Sequence, residues 1–192
     1  MSFKEGIDQV EKSYQKLIEM DKIMSDAVVN GFMFTWQWWF GIALFIFPWI
    51  IWLLFRKKAS TGRLLFAGFI TILLSLMIDL IALSRGLWSY PMVFSPIGAL
   101  LFLPYHFSLT PVALMFTLQI KPHANALIKG AIFGAIGAFI AMKIFEEIDF
   151  YDPKKWLSIY DFFIYLFLYL VANWFSNMDS FKKGAAVIKE GR

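Results

Sequence analysis

Residues 32–55 read FMFTWQWWFGIALFIFPWIIWLLF, with no Asp, Glu, Lys or Arg among them, and the chain continues with Arg56, Lys57 and Lys58. About 20 apolar residues in a helix cross the hydrocarbon core of a bilayer. This run is long enough, and it carries Trp36, Trp38 and Trp39 towards one end and Trp49 and Trp52 towards the other. Indole rings settle at the two headgroup layers, so the run reads as a membrane span, with Pro48 predicting a kink.

Four more apolar runs follow, at about 64–83, 95–119, 129–145 and 156–178. Composition agrees: 59% of residues are hydrophobic and 17% charged, against about 45–50% and about 25% in soluble domains. A soluble globular enzyme is excluded, because too little polar surface exists to cover the apolar residues. The expected fold is all-α: a bundle of five transmembrane helices over 32–178, preceded by an amphipathic helix over 1–31 and followed by a basic tail over 179–192. The third run holds Pro96, Pro104 and Pro111. It is read as one kinked helix, with a re-entrant pair broken at Pro104 as the alternative.

In the N-terminal segment Phe3, Ile7, Val10, Tyr14, Leu17, Met24 and Val28 recur at spacings of three, four and seven, interrupted by Asp21. That is one apolar helical stripe. It suits docking on the protein's own outer face or on a second copy, so a homo-oligomer is among the expected partners. A membrane-surface helix would be richer in Lys and Arg. No cleavable signal peptide is expected, since the segment has no apolar region after a basic start.

Basic residues set the orientation. Arg56, Lys57, Lys58 and Arg63 follow span one, Lys121 and Lys129 lie around the loop after span three, and Lys182, Lys183, Lys189 and Arg192 are in the tail. Five spans put all three groups on one side, which predicts an outside N-terminus and a cytoplasmic C-terminus in a cell membrane. The basic residues flank apolar runs and form no extended surface, so no nucleic-acid partner is expected. The chain has no cysteine, which excludes disulfides and thiolate chemistry. No phosphate loop, His-Glu-x-x-His or Gly-x-Ser-x-Gly motif occurs. His106 and His123 are the only histidines and are expected on opposite sides of the membrane. No metal and no cofactor is therefore expected.

Asp79 is the residue that most needs a reason. A carboxylate at the centre of a membrane helix costs about 2.5–3.5 kcal/mol. It reads either as a proton- or cation-binding group, or as a buried acid held by Arg85, tyrosines or hydroxyls. His106, in span three between two prolines, is a candidate titrating group or a neutral imidazole bonded to a freed carbonyl. Helical rise separates the two by roughly 9 Å in depth, so contact between them would need tilt, the kink or a water. Asp79, Arg85, Tyr105, His106, Glu146 and Asp161 form the candidate polar cluster, with Asp79, Arg85, Glu146 and Asp161 in the outer third and His106 near the midplane. Gly130, Gly134 and Gly137 are read as a helix-packing stripe, small residues that let backbones approach.

Three functional readings follow. The first is a non-catalytic structural, accessory or sensing component. The second is a proton- or cation-linked transporter or channel subunit using Asp79 and His106, which a water-filled path would favour. The third is a membrane enzyme acting on a lipid or isoprenoid, which would need an apolar groove beside clustered acid and base groups. The sequence leaves enzymatic activity open.

The stretch Asp79–Pro91, DLIALSRGLWSYP, with Ser95-Pro96 and Pro104-Tyr105 beyond it, resembles an uncharacterised family of small five-span membrane proteins from spore-forming Gram-positive bacteria. The resemblance runs from Trp36 to Asn177. It implies a topology and a plasma or spore membrane, and no activity. A fainter resemblance links the acid and aromatic turn to the membrane-embedded carotenoid cyclases. Their paired glutamates are absent at Pro104, and their activity is not carried over.

Overall fold

A computed structural model describes residues 1–96 and 102–178. The expected basic tail over 179–192 lies outside the described residues. The chain is helical, with no strand among the described residues. The order is α1 (Phe3–Ala27), a π turn (Val28–Phe32), α2 (Trp36–Phe55), α3 (Thr61–Ser84), a π turn (Tyr105–Leu109) running into α4 (Thr110–Gln119), α5 (Ala126–Ile136), a π turn (Gly137–Ala141), α6 (Met142–Glu147) and α7 (Ser158–Ser176). Four helical stretches are long and apolar enough to cross a membrane: Trp36–Phe55, Lys58–Ser84, Ala126–Glu147 and Ser158–Ser176. They turn large apolar side chains outward; Leu54 is 73% exposed and Phe55 68%. Water would reject such a surface, and lipid accepts it.

The third apolar run departs from the expectation of one helix over 95–119. Ser95, Pro96 and Phe102 are not helical. The helix sets in around Pro104, which caps the π turn Tyr105–Leu109. Proline has no N–H to donate and its fixed φ suits a helix start, so Pro104 opens this helix instead of kinking it.

The chain ends of these helices gather at two poles. At one, the buried Gln119 side chain donates to the Phe55 carbonyl at 2.9 Å and accepts from the Lys57 N–H at 2.8 Å. At the other, Ser89 and Asp152 exchange two backbone hydrogen bonds of 3.0 and 2.9 Å. Two similar turns deliver the chain to that second pole. After α3, Gly86 adopts φ +64°, with Gly86 N–H donating to Leu83 and Leu87 N–H to Ala82. After α6, Asp149 adopts φ 61°, with Asp149 N–H donating to Glu146 and Phe150 N–H to Phe145. Both satisfy the last helical carbonyls with a left-handed residue, and both fold an aromatic segment back over the bundle.

Helix α7 packs on α5 and α3. Gly130, Gly134 and Gly137 face it. A Cβ at Gly134 would lie 2.9 Å from the Phe162 carbonyl oxygen, and at Gly137 2.9 Å from the Tyr165 ring. Helix α1 begins with a reciprocal cap between Ser2 and Glu5 and has no buried residue. Among the described residues its C-terminal end is the part tied down: Met24 and Val28 pack towards Val93, and the Ser25 hydroxyl donates to the Pro96 carbonyl.

Candidate functional site

The site forms where α3 faces the start of the Tyr105–Leu109 turn. Ser75 and Asp79 are four residues apart, so both side chains project from one face of α3. Both reach the same imidazole. His106 Nδ1 is 3.2 Å from Ser75 Oγ, and His106 Nε2 is 3.1 Å from Asp79 Oδ2. The roughly 9 Å offset expected between Asp79 and His106 is thereby corrected. It assumed a helix starting at Ser95; with the helix opening near Pro104, His106 sits in its first turn and level with Asp79.

A second proline, Pro111, explains another feature. Pro111 cannot donate to the carbonyl of Phe107, and that freed oxygen accepts from Trp49 Nε1 at 2.9 Å. The freed carbonyl is satisfied from α2, and His106 turns to α3.

Asp79 Oδ1 accepts from Trp88 Nε1 at 2.8 Å and from the Tyr90 hydroxyl at 2.5 Å. Both donors come from the segment that Gly86 turns back, and their i, i+2 spacing in extended chain places them on one side. Asp79 and His106 are almost wholly buried. Burial, and next the charge of Asp79, push the Tyr90 phenol well above its ordinary value. Burial likewise pushes the Tyr151 phenol up.

The Ser75 hydroxyl lies 3.1 Å from the Ile72 carbonyl and 3.2 Å from His106 Nδ1. When it donates to the carbonyl, its oxygen is left to receive Nδ1–H from His106. Nε2 then faces Asp79 Oδ2 at 3.1 Å. Two lone pairs would repel at that distance, so one of the two atoms carries a proton, the nitrogen or the oxygen. In both forms the pair is net neutral, which suits a buried site. The contact lies off the hydrogen-bonding direction: Asp79 Oδ2 and His106 Nε2 make no aligned hydrogen bond, nor does the buried Tyr151 hydroxyl.

These three unpartnered groups line one small cavity of about 30 Å³, together with Tyr105, Asp161 and Tyr165. That volume has room for about two waters and for no larger solute. Across it, Asp161 at the start of α7 accepts from Trp156 Nε1 at 3.0 Å, and the Tyr105 hydroxyl donates to that of Tyr165 at 2.6 Å. Phe94, Phe102, Phe145, Phe150 and Tyr151 pack above as a buried aromatic layer.

Of the candidate cluster, Asp79, Tyr105, His106 and Asp161 therefore share one cavity. Arg85 is exposed at the end of α3. Glu146 pairs at the surface with Lys143 at 2.5 Å. Ser75, Trp88, Tyr151 and Trp156 are site residues outside that candidate cluster. The i, i+4 spacing of Ser75 and Asp79 was the available signal for the first. No group of His, Asp and Glu able to hold a metal occurs among the described residues.

Tyr105 and Tyr165 also line a second space. It is an apolar groove of about 300 Å³ between α4, α5 and α7. Its rim residues Ile132 and Ile136 are more than half exposed, so the groove opens sideways, through the apolar outer surface of the bundle. No family model matches this chain, and no curated protein or solved structure matches it significantly.

Proposed function

We propose that the protein is a five-span membrane protein whose buried Asp79–His106 pair exchanges protons with a molecule that arrives from the lipid phase. The observation that carries this reading is the shared wall: Tyr105 and Tyr165 bound both the polar cavity and the apolar groove. The pair supplies one mobile proton, and the cavity supplies room for the water that relays it. The same cavity is too small to pass a solute, and aromatic side chains cover it. These features favour a lipid-directed acid–base site over a transport path.

Five crossings are supported by the two poles. Gln119 meets the loop after α2, so the short Tyr105–Gln119 helix ends at that pole and completes a traverse that begins before Pro104. The basic residues of the first and third loops then share a side, which we assign to the cytoplasm of a bacterial plasma or spore membrane. The exposed heptad stripe of α1, outside the membrane, supports self-association through that helix.

A specific observation favours a second reading, a non-catalytic component: the two donors on Asp79 Oδ1 are those of a well-held structural acid. One experiment separates the readings. Membranes containing the protein, or its Asp79→Asn variant, are incubated in heavy water and their lipids extracted. Asp79-dependent deuterium at carbon in a lipid supports the acid–base site. Equal labelling in both membranes overturns it in favour of the structural reading.

A further inference from the structure

The groove between α4, α5 and α7 is built for more than the bilayer's own acyl chains. Its walls are Leu109, Ala113, Ile132, Phe133 and Ile136, which suit a single hydrocarbon chain. Tyr105 and Tyr165, whose hydroxyl oxygens are 2.6 Å apart, close it on the side of the polar cavity. Thr110 and Thr117 add hydroxyls along one side. A purely apolar lipid niche would have no use for those hydroxyls.

The charge pattern selects the head group. No Lys or Arg lines the groove or the cavity behind it. Phosphate and carboxylate heads are held by such cations, and here the groups behind the tyrosines are the carboxylates Asp79 and Asp161. An anionic head would meet the Asp161 carboxylate, with no Lys or Arg to neutralise it and with His106 already paired to Asp79. A neutral hydroxyl or carbonyl head can donate to, or accept from, the tyrosine pair at no such cost.

We propose that this groove binds an uncharged single-chain lipid, its alcohol or carbonyl end on Tyr105 and Tyr165 and its chain out between Ile132 and Ile136. The site rests on the lipid-directed reading above and names its ligand class. The chain is either isoprenoid or fatty, since both present the same neutral end.

The test uses the full-length protein in detergent, with retained ligand read by native mass spectrometry. The probes are geranylgeraniol, hexadecanol, geranylgeranyl diphosphate and palmitate. The expected result is one bound alcohol per chain, retained at least tenfold better than either anionic probe. Preference between the two alcohols assigns the chain as isoprenoid or fatty. Ala113→Phe, which fills the groove, abolishes retention; Ile136→Trp at the rim does the same from outside the core if the first variant does not fold. Asp79→Asn leaves the groove intact and keeps the alcohol bound, so failure of the acid–base reading does not mimic failure of the groove. Equal retention of diphosphate and alcohol, or undiminished binding in folded Ala113→Phe or Ile136→Trp, overturns the proposal.

Discussion

Trp88 and Trp156 meet edge to face, their ring centroids 5.2 Å apart at 71°, and each donates its indole N–H to a different buried carboxylate. Trp88 holds Asp79 and Trp156 holds Asp161. The two loops that fold over the bundle thus fix both acids through one aromatic contact. A hydrogen bond to a charged group contributes about 1.5–3 kcal/mol. Trp88→Phe and Trp156→Phe should each destabilise by about that amount. Because the rings touch, the double variant should depart from the sum of the two. Thermal unfolding in detergent measures all three.

The Asp79–His106 pair should behave as a buried pair does. Removing one partner leaves the other uncompensated, at a cost of about 3–5 kcal/mol. Asp79→Ala should therefore unfold well below the parent. The double variant Asp79→Ala/His106→Leu should recover part of the loss, because no charge is then left unpaired. A double variant no more stable than Asp79→Ala would mean that the imidazole contributes packing alone.

Glycines separate by what lies opposite. At Gly134 a Cβ would meet the Phe162 backbone oxygen at 2.9 Å, an atom that cannot swing away, whereas at Gly62 nothing lies within 4 Å. Gly134→Ala should destabilise by about 1–3 kcal/mol through overpacking. Gly62→Ala, in the first turns of α3, should be neutral or stabilise by up to about 1 kcal/mol. Comparative melting of the two variants is the check.

Raised phenol values give a pH dependence with a definite sign. Tyr90 and Tyr151 both hold their protons more tightly when folded, chiefly through burial. Their contribution to stability is complete below the unfolded tyrosine value of about 10 and is lost as pH rises above it. Alkaline titration of tyrosinate absorbance should show a late fraction that ionises only with unfolding. Tyr90→Phe/Tyr151→Phe should shrink that fraction.

Helix α1 should link two copies. Phe3, Ile7, Val10, Tyr14 and Leu17 alternate at four and three residues, and all five are exposed. That 3.5-residue period is the seam of a coiled coil. Val10→Glu/Leu17→Glu should halve the assembled mass seen by light scattering in detergent while leaving the melting of the membrane part unchanged. An unaltered mass would assign the stripe to another surface.

Much of the membrane architecture is legible because it depends on local pattern. The uncharged run 32–55, the basic residues after it and the small-residue spacing of Gly130, Gly134 and Gly137 need no tertiary knowledge. Asp79 and His106 stand out for the same reason, since charge in an apolar run is visible directly. Their contact is not legible. It depends on where the third run becomes helical, and Pro104 reads equally as a kink or as a start. Trp88 and Tyr90 reach Asp79 only because Gly86 turns the chain back, and Trp156 reaches Asp161 from the following loop. Those are long-range consequences of two turns, whereas Arg85 and Glu146 matched the pattern of charge near a span end and lie at the surface.

The protonation of the Asp79–His106 pair is tested most directly by nitrogen NMR of the imidazole. With His123→Gln, His106 is the one histidine left in the chain, so its two ring nitrogens can be read without overlap. The prediction is a protonated Nδ1, bonded to Ser75, and an Nε2 signal displaced by the Asp79 carboxyl 3.1 Å away. In Asp79→Asn the Nε2 signal should move to that of an unprotonated acceptor while Nδ1 stays in place. Identical nitrogen signals in the two proteins, or an unprotonated Nδ1, would contradict the proton-bearing pair and the acid–base site built on it.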